Sequence, residues 1–217
     1  MRVIAGTYRR RTLEAPPGLA TRPTSDRLRE TLFNVLAPWT EGAAFLDLYA
    51  GSGAVGIEAL SRGAAQAVFV ERAPAALKVL RANLERLKIA TGFEVQANSV
   101  NTFLRKRQSG DTPFDVVFLD PPYQAEEEYE ATLGLLGNAQ VSQGAEGARE
   151  LQPCDDDLSK GTSESGHPIL KVGAVVIAEH RRKLRLEDRY GSLERTRLLE
   201  QGDAALSFYA SVPAITS

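Results

Sequence analysis

Three observations predict an α/β fold built on a doubly wound, mostly parallel sheet. From Ala43 onward, short apolar runs alternate with stretches of helical periodicity, the pattern of βαβ units. A Gly-x-Gly-x-x-Gly turn, Gly51 to Gly56, falls between the first of these runs and the first helical stretch. Two strand-like segments flank Gly202-Asp203 near the end of the chain, so an antiparallel hairpin should close the sheet.

Taken in order, the first thirteen residues read as a hairpin. Val3 and Ile4 are β-branched, Gly6 breaks the run, and Arg11, Thr12 and Leu13 return. After Pro16-Pro17-Gly18 a helix is expected, capped by Thr24 or Ser25. It carries Leu28, Leu32, Val35 and Leu36 at helical spacing and ends before Pro38. Strands follow near 44–48, 67–70, 93–97, 114–119 and 172–178, with helices near 54–61, 74–87, 100–106 and 126–136. The hairpin strands near 192–199 and 204–212 bring the expected sheet to seven. Between Asn138 and Pro168 the periodicity vanishes: the segment holds four glycines, four serines and six acids with almost no large apolar side chain, the composition of a flexible insertion. The expected division is therefore 1–40 as an N-terminal hairpin and helix, and 41–217 as the main domain with an acidic insertion at 138–168.

Composition narrows the function. At 43% hydrophobic and 25% charged residues the 217-residue chain is too apolar for disorder as a whole, and its longest uncharged apolar runs are strand-sized, too short to span a membrane. The start of the chain has a basic residue but no apolar signal region, so a cytoplasmic protein is expected. A single cysteine, Cys154, and two histidines, His167 and His180, offer no metal-ligand spacing, and no metal is expected.

The net charge of −2 conceals a segregation. From Glu126 to Glu164 ten acids stand against two bases, a local −8, which leaves +6 on the remainder. Residues 1–30 hold seven arginines and three acids, and residues 181–197 hold seven basic residues and three acids. Guanidinium forks suit phosphate because they offer two donors to two oxygens and stay charged, so a polyanionic partner fits these clusters.

Two segments carry chemistry. In Asp47-Leu48-Tyr49-Ala50-Gly51-Ser52-Gly53-Ala54-Val55-Gly56 the glycines let backbone pass close to a ligand, and the next helix presents N–H groups. Glu71, twenty residues after Gly51, stands where a carboxylate would accept hydrogen bonds from both hydroxyls of a ribose. Asp47 at the strand end suits the amino group of S-adenosylmethionine, a ligand with no pyrophosphate. Asn98 could bond an adenine edge, whereas His180, beside Glu179 at the end of the fifth strand, reads as structural.

The second segment is Asp120-Pro121-Pro122-Tyr123 after the fourth strand. An exocyclic amine on a purine is a poor nucleophile because its lone pair is conjugated with the ring. If the Asp120 carboxylate and the Pro121 carbonyl each accept one N–H, the nitrogen is drawn towards tetrahedral geometry and its lone pair can face a sulfonium methyl. The two prolines stiffen the turn, and Tyr123 can stack on the base, a contact worth about 1–3 kcal/mol.

These motifs resemble the Rossmann-like class I S-adenosylmethionine-dependent methyltransferases, specifically the bacterial enzymes that methylate the N2 amine of a guanine in 16S ribosomal RNA. The likeness runs through Arg2-Val3-Ile4-Ala5-Gly6, the segment from Arg22-Pro23-Thr24-Ser25-Asp26-Arg27 to Asn34, Asp47–Gly56 with Glu58–Gly63, and Asp120–Tyr123. The resemblance implies a cofactor site lined by Asp47, Gly51, Gly53, Glu71 and Asn98, with Tyr49, Ala50, Ser52, Ser99 and Thr24 beside them. It implies that Asp120, Pro121, Pro122 and Tyr123 hold the target guanine. It also implies that Arg2, Arg9, Arg10, Arg11, Arg22 and Arg27 meet the RNA, within an assembling small ribosomal subunit. The acidic insertion departs from the family pattern.

Three other readings compete. A DNA adenine-N6 methyltransferase would use Asp120–Tyr123 on a flipped base, but no target-recognition domain is visible. A nicotinamide-dependent oxidoreductase would explain the glycine turn and Glu71 and leave Asp120–Tyr123 unexplained. An RNA-binding scaffold would waste a complete set of transfer residues.

Overall fold

A computed structural model describes residues 1–16, 25–108, 111–122, 124–139, 141–142 and 169–211. The expected roles of Arg22, Thr24, Tyr123 and most of the acidic insertion fall outside these residues.

The hairpin forms, tied by a bridge between Arg2 and Thr12 and by backbone bonds from Val3 to Arg11 and from Leu13 to Met1. Gly6 takes φ +78° and presses against the next layer so closely that a β-carbon would sit 1.7 Å from the Ser61 carbonyl oxygen, leaving glycine as the fitting residue. Helix α1 (Asp26–Val35) is capped by Ser25, whose hydroxyl accepts from the Leu28 N–H at 3.1 Å. The helix stops as expected, but a further turn, α2 (Ala37–Thr40), follows with Pro38 in its first positions, where a missing N–H costs nothing.

The alternating part comprises β1 (Ala44–Leu48), α3 (Ala54–Ser61), β2 (Gln66–Val70), α4 (Pro74–Arg86), β3 (Phe93–Gln96), α5 (Val100–Arg105), β4 (Phe114–Leu119) and α6 (Glu127–Asn138). A two-residue strand β5 (Val141–Ser142) pairs with β6 (Leu170–Arg181), inside the stretch expected to lack structure. Strand β6 runs beyond the predicted 172–178 because residues 170–171 pair with β5 and residues 179–181 with β9. A second two-residue strand β7 (Arg189–Tyr190) precedes β8 (Leu193–Gln201) and β9 (Ala204–Ser211), the closing hairpin. Among the described residues the sheet thus has nine strands rather than seven, in the order β3-β2-β1-β4-β6-β9-β8-β7 with β5 beside β6. The two extra strands are too short to show an alternating pattern in sequence. β1 to β6 pair parallel, while β7, β8 and β9 pair antiparallel.

Helices cover both faces. On one, Leu28, Leu32 and Phe33 of α1, Ile57 of α3 and Leu80 of α4 pack with Phe45, Phe69 and Phe118, and Val3 and Leu13 of the hairpin join the same cluster. On the other, Phe103 of α5 and Tyr129 and Leu133 of α6 pack against Leu46, Val68 and Val117. β1 leads outward to β2 and β3, whereas β4 lies on its opposite flank, so the strand order reverses between β1 and β4 and opens a crevice at their carboxyl ends.

Candidate active site

A cavity of about 360 Å³ fills that crevice. Asp47, Tyr49, Ala50, Gly51 and Ser52 line it from the end of β1, Glu71 from the end of β2, Asn98 and Ser99 from the end of β3, and Asp120, Pro121 and Pro122 from the end of β4. Eleven of the expected site residues, drawn from four strand ends, thus share one wall.

The glycine turn divides its labour. Gly51 has φ +56° and would meet only the Tyr49 carbonyl oxygen, at 3.9 Å, so backbone lies bare against the cavity. Gly53, expected among the cofactor contacts, does not line it. Its φ is +77°, and a β-carbon would strike the Leu80 Cδ1 at 2.2 Å, so this glycine lets α4 pack close behind the turn.

Asp47 is buried, and its Oδ2 accepts the Gly56 N–H at 2.8 Å, which anchors the first turn of α3. Burial pushes this carboxyl up to about 8, the nearby Glu71 adds to the rise, and the Gly56 hydrogen bond opposes it. Glu71 accepts from the Gly51 N–H at 2.8 Å through one oxygen and from Arg72 and Ala73 N–H through the other, at 2.8 and 2.7 Å. Three of the roughly four acceptor positions of a carboxylate are therefore engaged in fixing the carboxylate at the rim, and one is left for a ligand hydroxyl.

Asp120 follows the last residue of β4 and is held well above the usual carboxylate range by burial, with Glu179 and Asp47 raising it further. The register of β4 on β6 pairs Leu119 with Ala178, so the next residues, Asp120 and Glu179, are neighbours on adjacent strands. The turn beyond is closed by the Ala125 N–H donating to the Pro122 carbonyl at 2.8 Å. Among the described residues none donates to the Pro121 carbonyl.

The remaining expected residues differ in how they serve. The Tyr49 hydroxyl donates to Glu128 and also bonds Thr132, each at 2.8 Å, which ties the turn after β1 to α6. Asn98 donates to the Gln96 side chain at 3.2 Å, and the Ser99 hydroxyl caps α5 through the Thr102 N–H at 3.1 Å, so the side chain of Ser99 serves the helix. His180 lies within β6, with its ring nitrogens 2.9 Å from the Arg181 carbonyl and the Ser207 hydroxyl; burial lowers its pKa, which suits a neutral structural ring. Arg2, Arg9, Arg10, Arg11 and Arg27 are all exposed.

Sequence reasoning missed the supports beneath the site. Asn83 is fully buried in α4; its amide donates to the Ser52 carbonyl at 2.9 Å and the Glu14 carbonyl at 3.1 Å and accepts from the Glu14 N–H at 2.8 Å. One side chain thus joins the glycine turn to the end of the hairpin. Glu58, fully buried in α3, accepts from the Ile4 and Ala5 N–H groups at 2.7 and 3.0 Å and from Arg62 at 2.7 Å. Arg29, equally buried, lies 3.7 Å from Glu58. A signal existed for Asn83, an amide in phase with the apolar stripe Ala76, Leu80, Leu84.

The charges lining the cavity indicate its ligand. Four carboxyl side chains, Asp47, Glu71, Asp120 and Glu128, face one basic side chain among the described residues, Arg72, which lies 3.9 Å from Glu128. A cationic ligand would draw Asp47 and Asp120 into their ionised form and gain from all four carboxylates, whereas a pyrophosphate would meet no compensating positive charge beyond Arg72, which disfavours a nicotinamide dinucleotide. Among the described residues no group of three His, Cys, Asp or Glu side chains is arranged to hold a metal.

Comparison with known proteins gives a family. The model of the family described as Conserved hypothetical protein 95 matches residues 1–146. The chain belongs to this family. A Bacillus subtilis relative, named Putative rRNA methyltransferase YlbH, is 33% identical over 209 residues, covering 96% of this chain and 98% of that protein. The Ribosomal RNA small subunit methyltransferase D of Escherichia coli is 44% identical over 124 residues, 57% of this chain and 61% of that protein. Among solved structures, one titled Putative methyltransferase yhhF, from Escherichia coli, superposes with a TM-score of 0.73 at 31% identity, covering 97% of each chain. The family model's match, over residues 1–146, extends through β1 and β4 and so takes in both segments that build the cavity.

Proposed function

We propose that the chain is an S-adenosylmethionine-dependent methyltransferase that methylates the exocyclic N2 amine of a guanine in 16S ribosomal RNA. The observation that carries this reading is the meeting of Asp120-Pro121-Pro122 with Asp47 and Glu71 in one carboxylate-rich cavity at the strand-order reversal. The names of the relatives above support the nucleic acid: they speak of ribosomal RNA, and none speaks of DNA.

The residues fit the cofactor. The bare backbone at Gly51 leaves room for a ligand, the buried Asp47 suits an α-ammonium, the remaining acceptor position of Glu71 suits a ribose hydroxyl, and the Asn98 amide suits an adenine edge. When bound, S-adenosylmethionine supplies an electrophilic sulfonium methyl. Asp120 and the Pro121 carbonyl accept the two N–H groups of the guanine amine; stacking on the ring is the part the sequence offers to Tyr123, which lies outside the described residues. With the amine so held, its lone pair would be aimed at that methyl, and transfer would leave the S–CH₃ bonding electrons on sulfur. Asp120, whose buried setting makes it a stronger base than an ordinary carboxylate, takes the proton that the methylated nitrogen releases. Catalysis rests chiefly on holding nitrogen, methyl and sulfur in line. Arg2, Arg9, Arg10, Arg11 and Arg27 supply contacts to phosphate.

The test is transfer of radiolabelled methyl to small ribosomal subunits from cells lacking this activity, with free RNA and DNA alongside, followed by nucleoside analysis. Label in N2-methylguanosine is the expected result. Label in N6-methyladenine in DNA, or none despite cofactor binding, would overturn the reading.

A further inference from the structure

A base that enters the crevice brings its own phosphates with it, and an RNA backbone is longer than one basic arm can hold. Besides the N-terminal arginines, a second basic cluster is exposed where β6 leaves the sheet at Arg181 and turns through Arg182 and Lys183 to Arg185. This turn begins three residues after Glu179, the neighbour of Asp120, roughly 10 Å further along the strand direction.

Contacts link the turn to the hairpin. Arg181 pairs with Ala204, which pairs with Gln201, and the Arg182 N–H donates to the Asp203 carbonyl at 2.9 Å. The Gln201 side chain accepts from Thr31 of α1 at 3.1 Å. At the start of the same helix stands exposed Arg27, and Asp26 pairs with Arg2 of the hairpin at 3.6 Å. Arg2, Arg27, Arg182, Lys183 and Arg185 therefore lie on one connected band, with Glu30, Glu187, Glu200 and Asp203 among its exposed acids, and with Asp188 paired to Arg195. Arg181 and Asp203 have partners of their own.

We infer that the turn Arg182-Lys183-Arg185 is a second phosphate-binding arm, which extends the basic surface of the N-terminal hairpin to the carboxyl end of β6 and holds a further stretch of RNA backbone. It rests on the RNA reading above and adds a docking surface to it. None of the three side chains takes part in a hydrogen bond or ion pair found among the described residues, so their charges face solvent ready for phosphate.

The experiment measures binding of the full-length protein to small-subunit ribosomal RNA, and methyl transfer to it, across a salt series. The triple variant Arg182→Gln/Lys183→Gln/Arg185→Gln is compared with Lys78→Gln/Arg81→Gln on the exposed side of α4. Each lost phosphate contact lowers the slope of log affinity against log salt by about 0.7–0.9. The triple variant should therefore bind with a slope smaller by about 2 and a KM for RNA raised tenfold or more, with kcat and cofactor binding unchanged. The α4 variant should match the unaltered protein. Should the triple variant lose its thermal transition, Arg182→Gln/Lys183→Gln gives the same reading with a slope change of about 1.5. An unaltered slope and KM in the turn variant, with normal binding by the unaltered chain, would overturn this inference alone. Failure of the unaltered chain to bind RNA would overturn the RNA reading with it.

Discussion

At the residue scale the site is governed by two carboxyl groups with different duties, the buried Asp47 and the partly buried Asp120. Asp120 has no structural hydrogen bond to lose among those described, so Asp120→Ala should abolish methyl transfer while cofactor binding, measured by calorimetry, changes by less than threefold. Because the Asp120 pKa lies above the usual carboxylate value, the ionised acceptor appears only as pH rises through it, and the rate should climb with pH on its acid limb. Asp47 allows a thermodynamic test. Its folded pKa of about 8 exceeds the unfolded value of 3.8, so the folded state binds the extra proton between them and this group's contribution to stability declines as pH rises across that window, by at most about 1.4 kcal/mol per pH unit. Asp47→Asn keeps an acceptor for the Gly56 N–H and removes the titration. Chemical denaturation should therefore show the variant gaining on the unaltered protein from pH 4 to pH 8, and a constant difference would refute it.

At the element scale the hairpin behaves as part of the main core. Val3 and Leu13 are buried with the residues of α1, α3 and α4, and Glu58 and Asn83 hold the hairpin backbone from below. Glu58→Ala would leave the Arg29 guanidinium buried without its main counter-charge, a loss of about 3–5 kcal/mol in a urea titration. Asn83→Ala should cost less in stability, about 1–3 kcal/mol, yet weaken cofactor binding as well, since the same amide holds the Ser52 carbonyl of the turn that lines the cavity. Ser25→Ala tests the α1 cap and should cost about 1 kcal/mol.

At the scale of the whole molecule, the carboxylate-rich cavity predicts selective heat protection. S-adenosylmethionine at a hundred times its Kd should stabilise the protein by about 2.7 kcal/mol, whereas a nicotinamide dinucleotide should leave the thermal midpoint unmoved. Much of the architecture was legible because its signals are local. Short apolar runs mark β1 to β4, glycines mark the turn after β1, and paired prolines mark the end of β4. Strands β5 and β7 were not, since two residues carry no period and form only because β6 and β8 lie beside them. Likewise Asp47, Glu71 and Asp120 could be nominated from their places at strand ends, but residues far apart in sequence reach one cavity only through the strand order. The difference between Gly51 and Gly53 was equally hidden: both have positive φ, and what separates them is Leu80, a neighbour brought by tertiary packing. The sequence by itself determined the elements and the chemical groups at their ends, because backbone preference and apolar period act between near neighbours. Only the tertiary structure decided which groups share the cavity, which are buried enough to shift their protons, and which arginines face solvent, because burial and long-range electrostatics depend on what the fold places alongside.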